Sequence, residues 1–525
     1  MLIKLITRMA FGFSDWVLLL ASLLGVAIYY LWRKNQFFKN LNLNYDKPNL
    51  VVGSMLKVYL QKRHIMDLFQ DIYDRFPNDR YVGFFNFMTP TILVRDPELL
   101  RKIMVKDFDH FVDHVEFTDE ETDPLSAKMV FAMKGDTWRE MRSTLSPAFT
   151  SSKMRAMLPF MQECVDDLIE YLNTELDGKE MEVKDLYTRY TNDVIASCGF
   201  GIKTNSLKER TNTFYTMAKK LSTFTTKDIL VVFIYIICPT ITKVSYLQNS
   251  IFGRKEINNF FRDVFTNNMK DRLDHNIVRH DMIHLLMLAK QGKLTVANEE
   301  FQKHSSIISK TIKLAMVFLF AGFDSSANLI SFITYELALN PHVQKRLQEE
   351  IDESLAKTNG VVVYEEVLKL VYLDMTISET LRLWPGAPNL DRLCVKPYTL
   401  PPQNDSQNTY THKGDQVFIP TNAFHRDPQY FKDPLVFDPE RFSEDNKASI
   451  KPFTYYPFGA GPRQCIASRF ALLEAKVLIV NLVSKFEFVR TAKTPVPMKL
   501  KNSLFDTVPE NGFWVGVRHR KNLVK

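Results

Sequence analysis

Trp16 to Trp32 (WVLLLASLLGVAIYYLW) runs for seventeen residues without a charge, and no other stretch so narrows what this chain can become. In hydrocarbon every backbone polar group must find its partner within the segment, so a lone uncharged run of this kind is helical. At the helical rise it spans about 26 Å, close to the ~30 Å of a bilayer core, and Phe11 to Phe13 lengthen it. Trp16, Tyr29, Tyr30 and Trp32 stand at its ends, where amphipathic rings favour the membrane interface. No small-residue cleavage site follows, so residues 1–35 read as an uncleaved signal anchor. Lys4 and Arg8 precede the span, and Arg33, Lys34 and Lys39 follow it, a bias toward a cytosolic bulk domain. Residues 36–60 read as a polar, irregular connector.

A length of 525 residues allows three or four domains. Yet no Gly/Ser-rich linker, charge run or repeat breaks residues 61–525, which read as one large domain. A net charge of +7 suits an acidic protein partner or an anionic membrane surface, without the dense Lys/Arg cluster that nucleic acid would call for. Cys164, Cys198, Cys238, Cys394 and Cys465 are scattered and odd in number, so they form neither a disulfide framework nor a CxxC zinc site; a reducing compartment follows. Tyr81–Phe85 and Thr91–Val94 read as strands of a small sheet. Helical patterns fall at about 138–146, 153–175, 209–221, 255–275, 304–340, 373–384 and 469–485, and 513–517 is strand-like. The apolar run Ile229–Cys238 is too short to span a bilayer and reads as core, or as a segment dipping into the membrane. The fold class is mainly α with a minor β-sheet region.

The chemistry centres on Phe458-Gly-Ala-Gly-Pro-Arg-Gln-Cys465-Ile-Ala467. Two glycines and a proline make a compact loop just before a helix, and the cysteine is expected at that helix's start, close to Arg463. A helix N-terminus and a guanidinium both favour a thiolate. A lone cysteine is more often a small buried hydrophobe, but Phe458, Gly461, Arg463 and Cys465 at this spacing resemble the haem-thiolate loop of the cytochrome P-450 superfamily. The resemblance implies that fold. It implies haem b with Cys465 as axial iron ligand, Phe458 packed on the loop and Arg463 on a haem propionate. Ala467 stands where the family usually has glycine.

Other segments carry the resemblance along the whole chain. Glu379-Thr-Leu-Arg382, with Arg441 of Pro439-Glu-Arg-Phe442, resembles the family's Glu–Arg–Arg structural network. Trp138 and Arg142, at i and i+4, and Arg392 resemble its propionate clamp. Ala321-Gly322-Phe323-Asp324-Ser325-Ser326 resembles the oxygen groove, with serine in place of the usual threonine at 325. There Gly322 would let a ligand approach the backbone, although such residues alone read as a packing notch. Asp324 and Ser325 would deliver protons. Phe131, Ala132, Phe320, Ala321, Ala387 to Asn389, Leu504 and Phe505 would line an apolar substrate pocket. Leu145–Met154 and the tail Pro509–Trp514 look like insect microsomal members of the xenobiotic-metabolising branch.

The activity implied is monooxygenation of small lipophilic substrates, using O2 and NADPH electrons delivered by a separate flavoprotein reductase, with cytochrome b5 as a further possible donor. The chain shows no flavin or nicotinamide fingerprint of its own. The expected setting is the endoplasmic reticulum membrane, in contact with lipid and with no nucleic-acid partner. The alternatives are a haem-thiolate isomerase or dehydratase that needs no reductase, and oxidation of an endogenous hormone or lipid rather than a xenobiotic.

Overall fold

A computed structural model describes residues 13–49, 53–87, 89–116, 129–175, 180–223, 225–237, 255–279, 281–283, 301–403, 409–504 and 507–521. Its principal helices are α1 Phe13–Asn35, α2 Ile65–Arg75, α3 Gly135–Leu145, α4 Ser151–Glu175, α5 Val183–Phe200, α6 Thr213–Ser222, α7 Thr226–Ile237, α8 Lys255–Asp274, α9 Phe301–Leu339, α10 Pro341–Lys357, α11 Val371–Leu383 and α12 Ser468–Lys485. The strands are β1 Tyr81–Asn86, β2 Thr89–Val94, β3 Glu180–Glu182, β4 Leu390–Leu393, β5 Tyr398–Leu400, β6 Thr409–Thr411, β7 Gln416–Ile419, β8 Phe486–Val489 and β9 Trp514–His519. Helices dominate, and the strands form three small sheets, ordered β1-β2-β7-β4, β3-β9-β8 and β5-β6.

The core is built around α9. Its chain-terminal end stops at Leu339 because Asn340 precedes a proline, and Pro341 then serves as the first residue of α10. Helix α5 lies along α9, with α4 and α12 completing the layer. Residues throughout α5 are buried, including Thr188, Arg189, Thr191, Asn192, Asp193 and Ser197. Glu182 caps its start by accepting from the Lys184 and Asp185 amides, and Gly201 ends it at φ 65°, a left-handed terminus suited to glycine. In the four-stranded sheet β2 runs parallel to β7, placing Ile92 beside Val417, and β4 returns antiparallel with Leu390 opposite Ile419.

The predicted helices and strands recur with shifts of a few residues. Three of these helices, α2, α5 and α10, have no counterpart in the sequence reading, and a fourth, α7, falls on an apolar run to which that reading assigns no helix. Helix α5 hides because the polar side chains on its buried faces erase the apolar 3.6-residue period. The connector also differs from expectation. Phe38 is fully buried against Phe85 and Tyr45, and it fills the space a side chain on Gly83 would need. Aromatic residues thus tie this polar-looking stretch to β1. In α7, Val231, Val232 and Tyr235 are buried and Leu230 is exposed, which favours the core reading; Cys238 lies outside the described residues. Among the described residues one helix is long and apolar enough to cross a membrane: it includes Trp16–Asn35, a window with no residue buried in the protein.

Candidate active site

The cysteine loop is shaped by backbone that only certain residues permit. The Cys465 amide donates to the Phe458 carbonyl at 2.9 Å, closing the loop around a single 3₁₀ turn at Gly461–Arg463. Gly461 sits at φ 69°, and a Cβ there would lie 1.9 Å from the Met104 carbonyl oxygen, so no other residue fits without moving backbone. Helix α12 begins only at Ser468, with Ala467 as its N-cap. Cys465 therefore precedes the helix rather than opening it. Cys465 is exposed at its own surface yet has protein around it at longer range. That enclosure pushes the thiol up, while the Ala467 backbone N–H and the Arg142 guanidinium hold it down.

The guanidinium acting on Cys465 is thus Arg142 and not Arg463. Arg463 turns away from the sulfur. It donates to the carbonyls of Val112 at 2.9 Å and Met133 at 2.7 Å, pairs with Asp113 at 3.5 Å, and lies 4.0 Å over the Trp138 ring. Asp113 in turn accepts from the Gly135 amide at the start of α3, the helix that presents Trp138 and Arg142. Arg392, on β4, is buried; it donates to the Asp391 carbonyl at 2.7 Å and meets His114 at 3.4 Å. Burial, and then the neighbouring Arg392, push Arg463 down to about 9; burial pushes Arg392 down to about 10. His114, which the sequence reading missed, pairs with Asp391 at 3.2 Å and stacks on Phe131 at 4.2 Å. No local motif marks it; only the fold brings it to β4.

The Glu–Arg–Arg residues meet in the core. Arg382 grips Glu379 with two bonds of 2.7 Å, and the Arg441 Nε reaches the same carboxylate at 3.3 Å. Arg382 also donates to the His425 carbonyl at 2.8 Å. His425, another residue the sequence did not single out, accepts from the Tyr456 amide at 3.0 Å through Nε2. Burial, and then the neighbouring Arg382, push its pKa down to about 3, so the ring stays a neutral acceptor. A continuous chain of bonds therefore runs from Glu379 to the residues that lead into the cysteine loop.

On α9, Asp324 pairs with Lys184 of α5 at 2.8 Å, and Ser325 is exposed on an otherwise largely buried stretch. The space beside the Gly322 Cα is taken by Ile195 of α5, 2.4 Å from where a Cβ would lie, so the lack of a side chain also serves the packing of α5 on α9. The side chains of Phe320 and Ala321, and all of Phe505, lie outside the described residues. Ala132, Ala387 and Asn389 are partly buried, and Leu504 packs on the cluster between α2 and β1. Phe131 flanks His114 and offers its carbonyl to Arg463 at 3.4 Å, which places it beside the cationic group.

The Cytochrome P450 family profile matches residues 44–514. The chain belongs to the cytochrome P450 family. Cytochrome P450 9e2 of Blattella germanica is 42% identical, with 97% of each chain aligned. Probable cytochrome P450 9f2 of Drosophila melanogaster is 41% identical over 95% of this chain and 98% of its own, and cytochrome P450 6k1 of Blattella germanica is 34% identical over 94% and 95%. As a P450 monooxygenase the protein uses haem b, O2 and NADPH-derived electrons supplied through a reductase, and it acts on small substrates. The isomerase alternative is not favoured. The residues fit such a group: Arg392 and Arg142 both act on Arg463, with Asp113 and Asp391 as neighbouring acids, and the Arg392 Nε lacks a partner among the described residues. A buried donor in that state calls for an anion.

Proposed function

We propose that this P450 is anchored in the endoplasmic reticulum membrane by residues 16–32, with its catalytic domain in the cytosol, and that it oxidises small lipophilic xenobiotics. Cys465 would bind the haem iron through its thiolate in this reading. Trp138, Arg142 and Arg392 would hold the propionates, with His114 as a further partner; Arg463, whose donors are taken by backbone carbonyls and Asp113, would brace this clamp rather than bond a propionate, and Gly461 and Phe458 shape the ligand loop. When bound, the thiolate-ligated haem supplies oxygen activation by favouring O–O cleavage. The reaction balances as substrate R–H + O2 + NADPH + H⁺ giving R–OH + water + NADP⁺. Asp324 and Ser325 supply protons, and the apolar lining orients the substrate and excludes water. A membrane-bound NADPH-dependent reductase, and cytochrome b5 as an accessory donor, meet the basic side of the protein near Cys465.

The observation that carries this reading is an exposed Cys465 with the Arg142 guanidinium acting on it. Cys465→Ser abolishes the thiolate signature of the reduced, carbon monoxide-bound haem, and a mutant that keeps that spectrum has another iron ligand. A screen reading haem spectral shifts, followed by turnover with reductase, settles the substrate class. Tight binding and turnover of a single hormone or lipid, with none of a panel of lipophilic xenobiotics, overturns the xenobiotic assignment.

A further inference from the structure

Helix α5 meets α9 with three side chains at the residues leading into Ser325. Lys184, Thr191 and Ile195 are spaced seven and four apart, which places them on one helical face. Ile195 occupies the space beside Gly322. The Thr191 hydroxyl, fully buried, donates to the Phe323 carbonyl at 2.7 Å. Lys184 donates to the Asp324 carbonyl at 3.0 Å and pairs with its carboxylate at 2.8 Å. Three consecutive residues of α9 are therefore met in turn by three residues of α5.

The two carbonyls make this arrangement unusual. Inside an α-helix each carbonyl already accepts from the amide four residues on. A second donor uses the remaining lone pair and ties that turn of backbone to the neighbouring helix. Serine, without the extra methyl of threonine, restricts its own rotamer less, so the hydroxyl at 325 depends more on where its backbone is held.

We propose that Lys184 and Thr191 are positioning residues for proton delivery, holding the backbone of Phe323 and Asp324 so that the Ser325 hydroxyl is presented in one place. This rests on reading Asp324 and Ser325 as the proton-delivering pair. Thr191 touches neither proton-delivering side chain and acts through the α9 backbone alone, whereas Lys184 holds that backbone at the Asp324 carbonyl and also pairs with the Asp324 carboxylate.

The test uses full-length holoenzyme reconstituted with reductase, in the variants Thr191→Val, Lys184→Met, Lys184→Arg and Ser325→Ala. Two quantities are read: product formed per NADPH consumed, and amide hydrogen exchange of the α9 peptide around residues 322–330. Thr191→Val and Lys184→Met retain the carbon monoxide spectrum, release more hydrogen peroxide, and speed exchange in that peptide about five-fold, the effect of one lost hydrogen bond. Lys184→Arg, which keeps charge and donors, recovers most of both. Unchanged coupling and exchange in Thr191→Val and Lys184→Met, beside lost coupling in Ser325→Ala, overturns the positioning role and leaves the Ser325 reading intact. Lost coupling in those two variants with none in Ser325→Ala overturns it as well, because the two residues would then act on something other than the Ser325 hydroxyl.

Discussion

Ser325 is exposed beside Ser326, which is buried, so Ser325 is the hydroxyl of the two that the proposed site can use. Ser325→Ala keeps NADPH consumption but gives less product and more hydrogen peroxide, because protonation loses its placed donor. Ser325→Thr moves the ratio the other way, since the added methyl restricts the rotamer. General acids contribute about 10²–10⁴-fold, and bound water softens the loss. Equal product-to-NADPH ratios in all three proteins would assign proton delivery to water or another side chain.

Glu336 gives a residue-scale pH prediction. It accepts from the Trp384 indole at 2.7 Å, and burial raises its pKa from 4.5 to about 7, against the lowering effects of Trp384, Arg426 and Arg382. The folded state therefore holds a proton that the unfolded chain releases near its ordinary value. Stability on this account is fully present below the unfolded pKa and is lost as pH rises through the folded one, by about 3 kcal/mol in all. Glu336→Gln keeps the acceptor and removes the titration. The urea midpoint for loss of the haem-thiolate absorbance should fall less steeply between pH 5 and 7 in the variant. Glu474, raised by burial to about 8, adds the same background to both proteins. Parallel curves would show that Glu336 keeps its charge on folding.

Among elements, α11 carries the greatest electrostatic burden. Glu379 and Arg382 are both fully buried, and Arg441 adds a longer contact from a side chain 12% exposed. Removing one partner of a buried pair strands the other's charge and costs about 3–5 kcal/mol. Glu379→Ala strands two guanidinium groups, one of them fully buried, and also loosens the backbone that Arg382 holds ahead of Tyr456. It should yield little haem-loaded protein. Arg441→Ala leaves Glu379 bound to Arg382 and costs about 1–2 kcal/mol. Measuring holoenzyme recovered per unit of purified chain ranks them; a larger loss from Arg441→Ala would contradict the geometry.

For the whole molecule, the decisive arrangement is the placement of the catalytic domain relative to the membrane. Asn404-Asp-Ser406 has the N-glycosylation acceptor pattern and lies outside the described residues. A cytosolic domain leaves it bare, so endoglycosidase treatment of protein from eukaryotic microsomes should leave the mass unchanged. A downward shift would put this loop in the lumen and reverse the proposed orientation.

Local chemistry was legible in the chain itself. The apolar run, the helix ending at Asn340–Pro341 and the glycine-bounded cysteine loop depend on near neighbours, and spacing alone exposes them. Glu379 and Arg382 are one helical turn apart, so their pairing was legible too, while Arg441 could be joined to them only by resemblance. Contacts between distant segments were decided by tertiary structure. His114 reaches Asp391, His425 reaches Tyr456, and Phe38 wedges under Gly83, with no periodic signal to announce any of them. Helix α5 escaped notice because its buried faces are polar and satisfied by partners far along the chain, such as Thr191 on the Phe323 carbonyl. The direction of Arg463 was likewise beyond the sequence: adjacency placed it beside Cys465, but four backbone carbonyls and the Trp138 ring outcompeted the thiol for its guanidinium. Sequence proximity limits which groups can meet; the fold sets which donor each acceptor receives, because most buried polar groups take their partners from what surrounds them in space.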